Sequence, residues 1–215
     1  MWKIVSVQNS VSAMQGILPE TLQDAAPELA YYWVEAFGNA TRIDYGTGHE
    51  MFMAAWLCCL ELLGATQPDD HAAMILHCFN QYLILMRRIQ KTYMLEPAGS
   101  HGVWSLDDYQ ALPFVFGSAQ LLTHKHISPK GIRQKDIIEN FSDDYIYLAC
   151  VKFVLSMKTG PFSEHSPILA QSGDAESWAK VHQGMLRIYF TEVLGKYPVM
   201  QHFLFGSILP FNPAL

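Results

Sequence analysis

Charge is scarce in this chain of 215 residues: Asp, Glu, Lys and Arg supply only 16% of it, against roughly 25% in typical soluble domains. No Lys/Arg block offsets the shortage, and the formal charge is −6. A general nucleic-acid binder would present a basic face, so nucleic acid is not an expected partner. Cysteine is sparse too. Cys58, Cys59, Cys78 and Cys150 show no CxxC spacing, and the expectation is small buried thiols in a reduced intracellular protein. The first residues hold no continuous apolar region, because Ser6, Gln8, Asn9 and Ser10 interrupt it, and Glu61 and Gly64 break the apolar run of 51–65. Neither a secretory signal nor a membrane span is expected. His49 and Glu50 lack a second histidine, since position 53 is Met53, which excludes a two-histidine zinc face. Period-2 alternation is missing as well, so no substantial sheet is expected.

What the chain has in quantity is apolar surface, at 50% of residues with 13% aromatic. That surface needs a large core, or a partner to cover it. The length fits one domain over residues 1–215, or one domain split into lobes; the fold expected is all-α, with helical lobes around a deep cleft. No internal repeat or low-complexity linker appears, so any lobes are interleaved in sequence. Periodicity and stop signals predict helices over Leu22–Phe37, Glu50–Leu63, His71–Tyr93, Asp107–Leu122 with a kink near Pro113, Ser142–Met157, Glu176–Leu194 and a short one at Met200–Phe205. The stretch Thr123–Asn140 reads as irregular.

Three loops carry candidate chemistry. In EPAGSHGVWSLDDYQ, at 96–110, Gly99 and Gly102 permit close backbone approach, and Ser105 followed by Asp108 fits a capping box. Asp107 and Asp108 are an acid–base pair that could also bind Mg²⁺ through oxygen ligands; a helix cap explains them equally. In TRIDYGTGHE, at 41–50, Gly46, Thr47 and Gly48 with Arg42 suggest a phosphate cradle. No strand and third glycine complete a dinucleotide or P-loop fingerprint, and a turn fixed by an Arg42–Asp44 ion pair is the default. KTGPFSEHSPIL, at 158–169, places Glu164 and His165 in a Gly-Pro-Phe turn that a capping cluster also explains. His124 and His126 read as a solvated loop. Ser100 and Ser118 have no adjacent base in the sequence. Gly184 and Ile188 share a helical face, which helix packing would explain.

These segments, with QHFLFGSILPF at 201–211, resemble the phosphotyrosyl phosphatase activator family, the protein phosphatase 2A activators, which are peptidyl-prolyl isomerases. The resemblance spans about residues 28–213, through long ordered motifs rich in uncommon residues. Family members carry a further helical region before the equivalent of Gln8, where this chain opens with MWKIVSV. The resemblance implies a nucleotide pocket at Arg42, Thr47, Gly48, Gln201, His202 and Phe203, with Phe203 stacking on a base. It implies magnesium near Gly102 and Asp108. Asp107, Glu164 and Val103 would belong to the activity surface, and Gly184 and Ile188 to the substrate or phosphatase surface, Ile188 standing where methionine is frequent.

The function expected on this basis is phosphatase 2A activation by a prolyl isomerase, coupled to Mg-ATP and remodelling of the phosphatase. Catalytic and scaffold subunits of the phosphatase and a proline-containing peptide are the expected partners, in the cytoplasm and also the nucleus. No covalent catalyst is needed: rotation about the peptide bond faces a barrier of about 18–20 kcal/mol, which an apolar cleft lowers by binding the twisted amide better than either planar form. Val103, Trp104 and Phe162 would line that cleft, with Asp107 and Glu164 orienting the peptide. The alternative is a non-catalytic, shortened family member that binds the phosphatase with an incomplete cleft.

Overall fold

The computed structural model describes residues 7–98 and 106–212. Gly102, Val103 and Trp104 lie outside the described residues. The chain is mostly helical, and among the described residues no helix is long and apolar enough to cross a membrane. It divides into two compact units, one from residues 7–98 with 198–212, the other from 106–197.

In the first unit, α1 (Val7–Ile17) packs on α2 (Ala26–Glu35), and α2 on α3 (Thr47–Leu62). The helix expected over 22–37 is divided, a 3-10 turn at Glu20–Ala25 preceding α2. Pro27 is the cause: it has no N–H to give and is tolerated only in a helix's first turn. The one expected over 71–93 is continuous but changes pitch, through α4 (His71–Ala73), a π turn at Met74–Phe79 and α5 (Asn80–Tyr93). Leu29, Tyr32, Met53, Phe79 and Met86 form the core. Within it Tyr82 donates to the Ala36 carbonyl at 2.7 Å and so accepts from the Tyr45 hydroxyl at 2.8 Å, which satisfies both buried phenols. Among the described residues the sheet consists of β1 (Asp44–Tyr45) and β2 (Glu96–Pro97), two residues each and parallel.

In the second unit, α6 (Leu112–Gln120) begins after the bends at 106–109, not at Asp107. Pro113 falls in its first turn and starts the helix where a kink was expected. Further along come a 3-10 turn at Pro129–Arg133 and α7 (Lys135–Phe141), in the stretch expected to be irregular, then α8 (Ile146–Met157). Ser142 closes α7 and does not cap α8. The first amide of α8, at Ile146, donates instead to Gln120 Oε1 at 3.0 Å. At Gly117 a side chain would strike the Tyr147 backbone, so glycine is what lets α6 and α8 approach. The turns α9 (Phe162–His165) and α10 (Pro167–Ser172) lead to α11 (Trp178–Ile188), which ends in a π turn at Tyr189–Leu194. Where the chain passes back to the first unit, α12 (Tyr197–Met200) is the last helix among the described residues, earlier than the 200–205 expected.

One cysteine expectation needs correction. Cys59 is buried, its thiol pushed up to about 12 by burial, but its neighbour Cys58 is exposed. Adjacent helical residues point about 100° apart, so one faces the core while the other leaves it. Partial burial and Glu61 still raise the Cys58 thiol above its ordinary value.

Candidate functional site

The candidates fall in both units, and each group has its own geometry. In the first, Asn39 Oδ1 accepts from the backbone amides of Thr41 and Arg42, both at 2.9 Å, folding 39–44 into a tight turn in which Ile43 takes a positive φ of 56°. Arg42 Nε lies 2.7 Å from Asp44 Oδ2, so the ion pair that could fix this turn is present. The other oxygen of Asp44 is 3.8 Å from Nε2 of His49. His49 is buried, which lowers its pKa despite opposition from the Glu35 carbonyl, 2.7 Å from Nδ1, and from Asp44. Gly46 precedes α3, and a side chain there would collide with the Ala98 carbonyl. Thr47 is buried, while Gly48 has room for a Cβ at 3.5 Å from Val199.

The 201–203 segment comes to the same unit from the far end of the chain. Gln201 and His202 are exposed. Phe203 does not stand free to receive a base: it stacks on Tyr32, with centroids 5.7 Å apart, and on Phe52 at 5.3 Å. Tyr32 donates to the Leu204 carbonyl at 3.0 Å. Glu28 takes the Ser207 amide at 2.9 Å, the Ser207 hydroxyl at 2.7 Å and the Ile208 amide at 3.0 Å. Burial alone would raise the Glu28 carboxyl, but these hydrogen bonds prevail and hold it below its ordinary value. The clasp spans about 180 residues of sequence, which is why no local motif announces Glu28.

In the second unit Asp107 is not at an exposed helix start. It is buried, at 6% exposure, and Oδ1 accepts the Tyr109 amide at 2.9 Å in a local turn. Asp108 lies with both carboxylate oxygens 3.2 Å from Lys158 Nζ. Gly102, the other residue of the expected magnesium site, lies outside the described residues, and Asp108 is balanced by the Lys158 ammonium; among the described residues there is no group of three or more His, Cys, Asp or Glu side chains placed to hold a metal. Glu164 is exposed on α9; its neighbour His165 meets Ser166 at 2.9 Å through Nδ1, and its Nε2 is buried with no hydrogen-bond partner among the described residues. Gly184 has nothing within 4 Å of a Cβ position among the described residues, so close helix packing does not explain it. Ile188, one turn on, is half-buried. Ser118 does meet a base, 3.0 Å from His182 Nδ1, but its one proton goes to the Val115 carbonyl at 2.9 Å and it is fully buried; that is a structural acceptor, not a nucleophile.

The family model for Phosphotyrosyl phosphate activator (PTPA) protein matches residues 2–211. The chain belongs to this family. It is 46% identical over 211 residues to serine/threonine-protein phosphatase 2A activator 2 of Debaryomyces hansenii, covering 94% of this chain and 58% of that protein. To the protein of the same name from Gibberella zeae it is 52% identical over 194 residues, 90% of this chain and 45% of that one. The crystal structure of the PP2A phosphatase activator Ypa1 PTPA1 superposes with a TM-score of 0.86 at 38% identity, covering 95% of this chain and 65% of that chain. The chain thus spans about half the length of the curated PTPA relatives it matches.

Within this PTPA chain the two groups differ chemically. The N-terminus of α3 can hold an anion: the first-turn amides, at Thr47 and Gly48, have no intrahelical acceptor, the helix dipole favours negative charge there, and Arg42 is near in sequence though paired with Asp44. A phosphate would compete with Asp44 for that guanidinium. Glu164 and Gly184 offer solvent-facing positions and no reactive group beyond one carboxylate. Each can contact a bound chain, and neither supplies a nucleophile.

Proposed function

We propose that this chain acts as a protein phosphatase 2A activator and prolyl isomerase, with nucleotide held at the start of α3. What supports the reading is the family match across nearly the whole chain, 2–211, together with relatives that bear the activator name. The partners are the phosphatase catalytic and scaffold subunits and a proline-containing segment. Glu164 orients the peptide by hydrogen bonding from its exposed position, while Gly184 and Ile188 form part of the partner-facing surface. Asp107 keeps a smaller part than its sequence position suggests, because burial and the Tyr109 amide commit its carboxylate to the local turn. No residue need form a bond to substrate: preferring the twisted amide over its planar forms is sufficient to speed rotation.

ATP would bring phosphate charge to Arg42, Thr47 and Gly48, with Gln201 and His202 as exposed hydrogen-bonding groups. Magnesium enters only as the counter-ion of those phosphates, the usual mode for an ion that keeps its waters and takes few protein ligands. The cytoplasm, with access to the nucleus, is where such an activator would meet its phosphatase.

The deciding experiment uses Glu164→Ala in the purified chain, measuring melting, isomerisation of a proline peptide and phosphatase activation on one preparation. Because Glu164 is exposed, stability should change by less than about 0.5 kcal/mol while isomerisation and activation fall together. A folded parent chain that binds the phosphatase yet neither isomerises nor activates would replace this reading with the binding module.

A further inference from the structure

The second unit contains a cavity of about 860 Å³, inside the range of roughly 300–1,000 Å³ typical of ligand sites. Two helix faces line it: Lys135, Ile138 and Glu139 from α7, and Lys152, Leu155 and Ser156 from α8. Each trio is spaced i, i+3, i+4, which is one turn of a single face. Ile132 and Ala170, both buried, extend the apolar lining. Phe162, one of the residues expected at the peptide cleft, lines it with Ser163, whereas Asp107, Glu164, Gly184 and Ile188 do not.

Its charges are unequally balanced. Arg133 at the rim is taken by Asp174 at 2.7 Å, and Lys135 stands 3.7 Å from Glu139. Lys152 donates to the Ser142 hydroxyl at 2.8 Å and pairs with no carboxylate among the described residues. An ammonium has three N–H donors, so two remain for something else. Three residues along the same face, Leu155 is 37% exposed. An uncompensated cation beside an open apolar lining, on a chain that is acidic overall, selects an anionic ligand with an apolar part.

We propose that this trough binds a short peptide segment of a partner protein in which an apolar side chain stands next to an acidic one, the apolar group against Leu155 and Ile138 and the carboxylate on Lys152. A chain segment fits better than a compact molecule because the lining runs along two helix faces and is exposed at Lys152, Leu155 and Ser156. The proposal does not rest on the activator reading, and its test needs no phosphatase.

The probe is a fluorescein-labelled hexapeptide, Asp-Glu-Leu-Phe-Asp-Glu, titrated with the full chain and read by anisotropy. Saturable micromolar binding is expected, weakened roughly tenfold or more by Lys152→Glu and by Lys152→Met, since a charge-assisted hydrogen bond is lost. Lys152→Met keeps the stem and so guards against misfolding, which circular dichroism would reveal. A peptide with every acid replaced by lysine should bind Lys152→Glu better than the parent chain. The proposal is overturned by equal binding of acidic and basic peptides to the parent, by unchanged affinity in both variants, or by no saturation at millimolar peptide.

Discussion

In the first unit the candidate residues are already engaged with their own fold: Phe203 sits in a three-ring stack, Arg42 pairs with Asp44, and Thr47 is buried. In the second, Glu164 is exposed and Gly184 faces open space among the described residues. The same family resemblance names both groups, yet the physical demands on them differ. Where a residue packs, its presence in a motif is explained in part by stability, and a lost activity after substitution is ambiguous. Where it touches little, stability explains nothing and activity becomes the informative measurement. Asp107 crosses from one class to the other: it read as an acid–base or capping residue at the start of a helix and is buried in a local turn.

The largest test of this contrast is Phe203→Ala. Its ring stacks on Tyr32 and Phe52 and meets Phe205 edge-on at 4.9 Å. Truncating a fully buried Phe costs about 3–5 kcal/mol; this half-buried one should cost about 2–3 kcal/mol, measured by urea unfolding. Gln201→Ala, two positions earlier and exposed, should change stability by less than about 0.5 kcal/mol. A loss under about 1 kcal/mol at Phe203 would mean that the stack is loose, and would return the ring to the nucleotide as a free platform.

A smaller effect should appear with pH at His49. Burial holds its pKa below the ordinary 6.5, so the native state prefers the neutral ring while the unfolded chain takes up a proton as pH falls through that value. The unfolded state then binds more protons, and stability declines with falling pH until the native ring also titrates. This contribution is complete above about pH 6.5 and has a slope of at most about 1.36 kcal/mol per pH unit. His49→Gln should flatten the melting profile between pH 8 and 5. Parallel profiles for parent and variant would show that the ring is not held neutral by its surroundings.

How much of this was legible beforehand depended on the range of the interaction. Helical class followed from periodicity and stop signals, and so did α5 and α11, while α3 was legible as a nearly unbroken apolar run closed by Gly64. Helix starts were less legible, because Pro113 and Pro27 can either break a helix or open one, and only the packing of the preceding segment decides. The Arg42–Asp44 pair was readable at two residues' separation, whereas Lys158 reaches Asp108 across 50 and Glu28 reaches Ser207 across 179. Nothing in a linear pattern encodes those meetings. Burial of Asp107 was hidden for the same reason, as its environment is made by elements distant in sequence.

A change in stability of under about 1 kcal/mol is the sharpest test of the second unit, because it should run opposite to the change in activity. Gly184 lies within α11, between Trp178 and Ile188, and a Cβ there would meet nothing within 4 Å among the described residues. A glycine inside a helix costs about 0.5–1 kcal/mol relative to alanine, through the backbone freedom it loses on folding. Gly184→Ala should therefore stabilise the chain by that amount, raising Tm by roughly 1–4 °C for a protein of this length. If position 184 faces the phosphatase or its peptide, the added methyl fills space that the partner needs, and activation should fall even as Tm rises. Melting and activation measured together separate the cases. A rise in Tm with unchanged activation would remove Gly184 from the partner surface, and a fall in Tm would show that this face of α11 is covered after all.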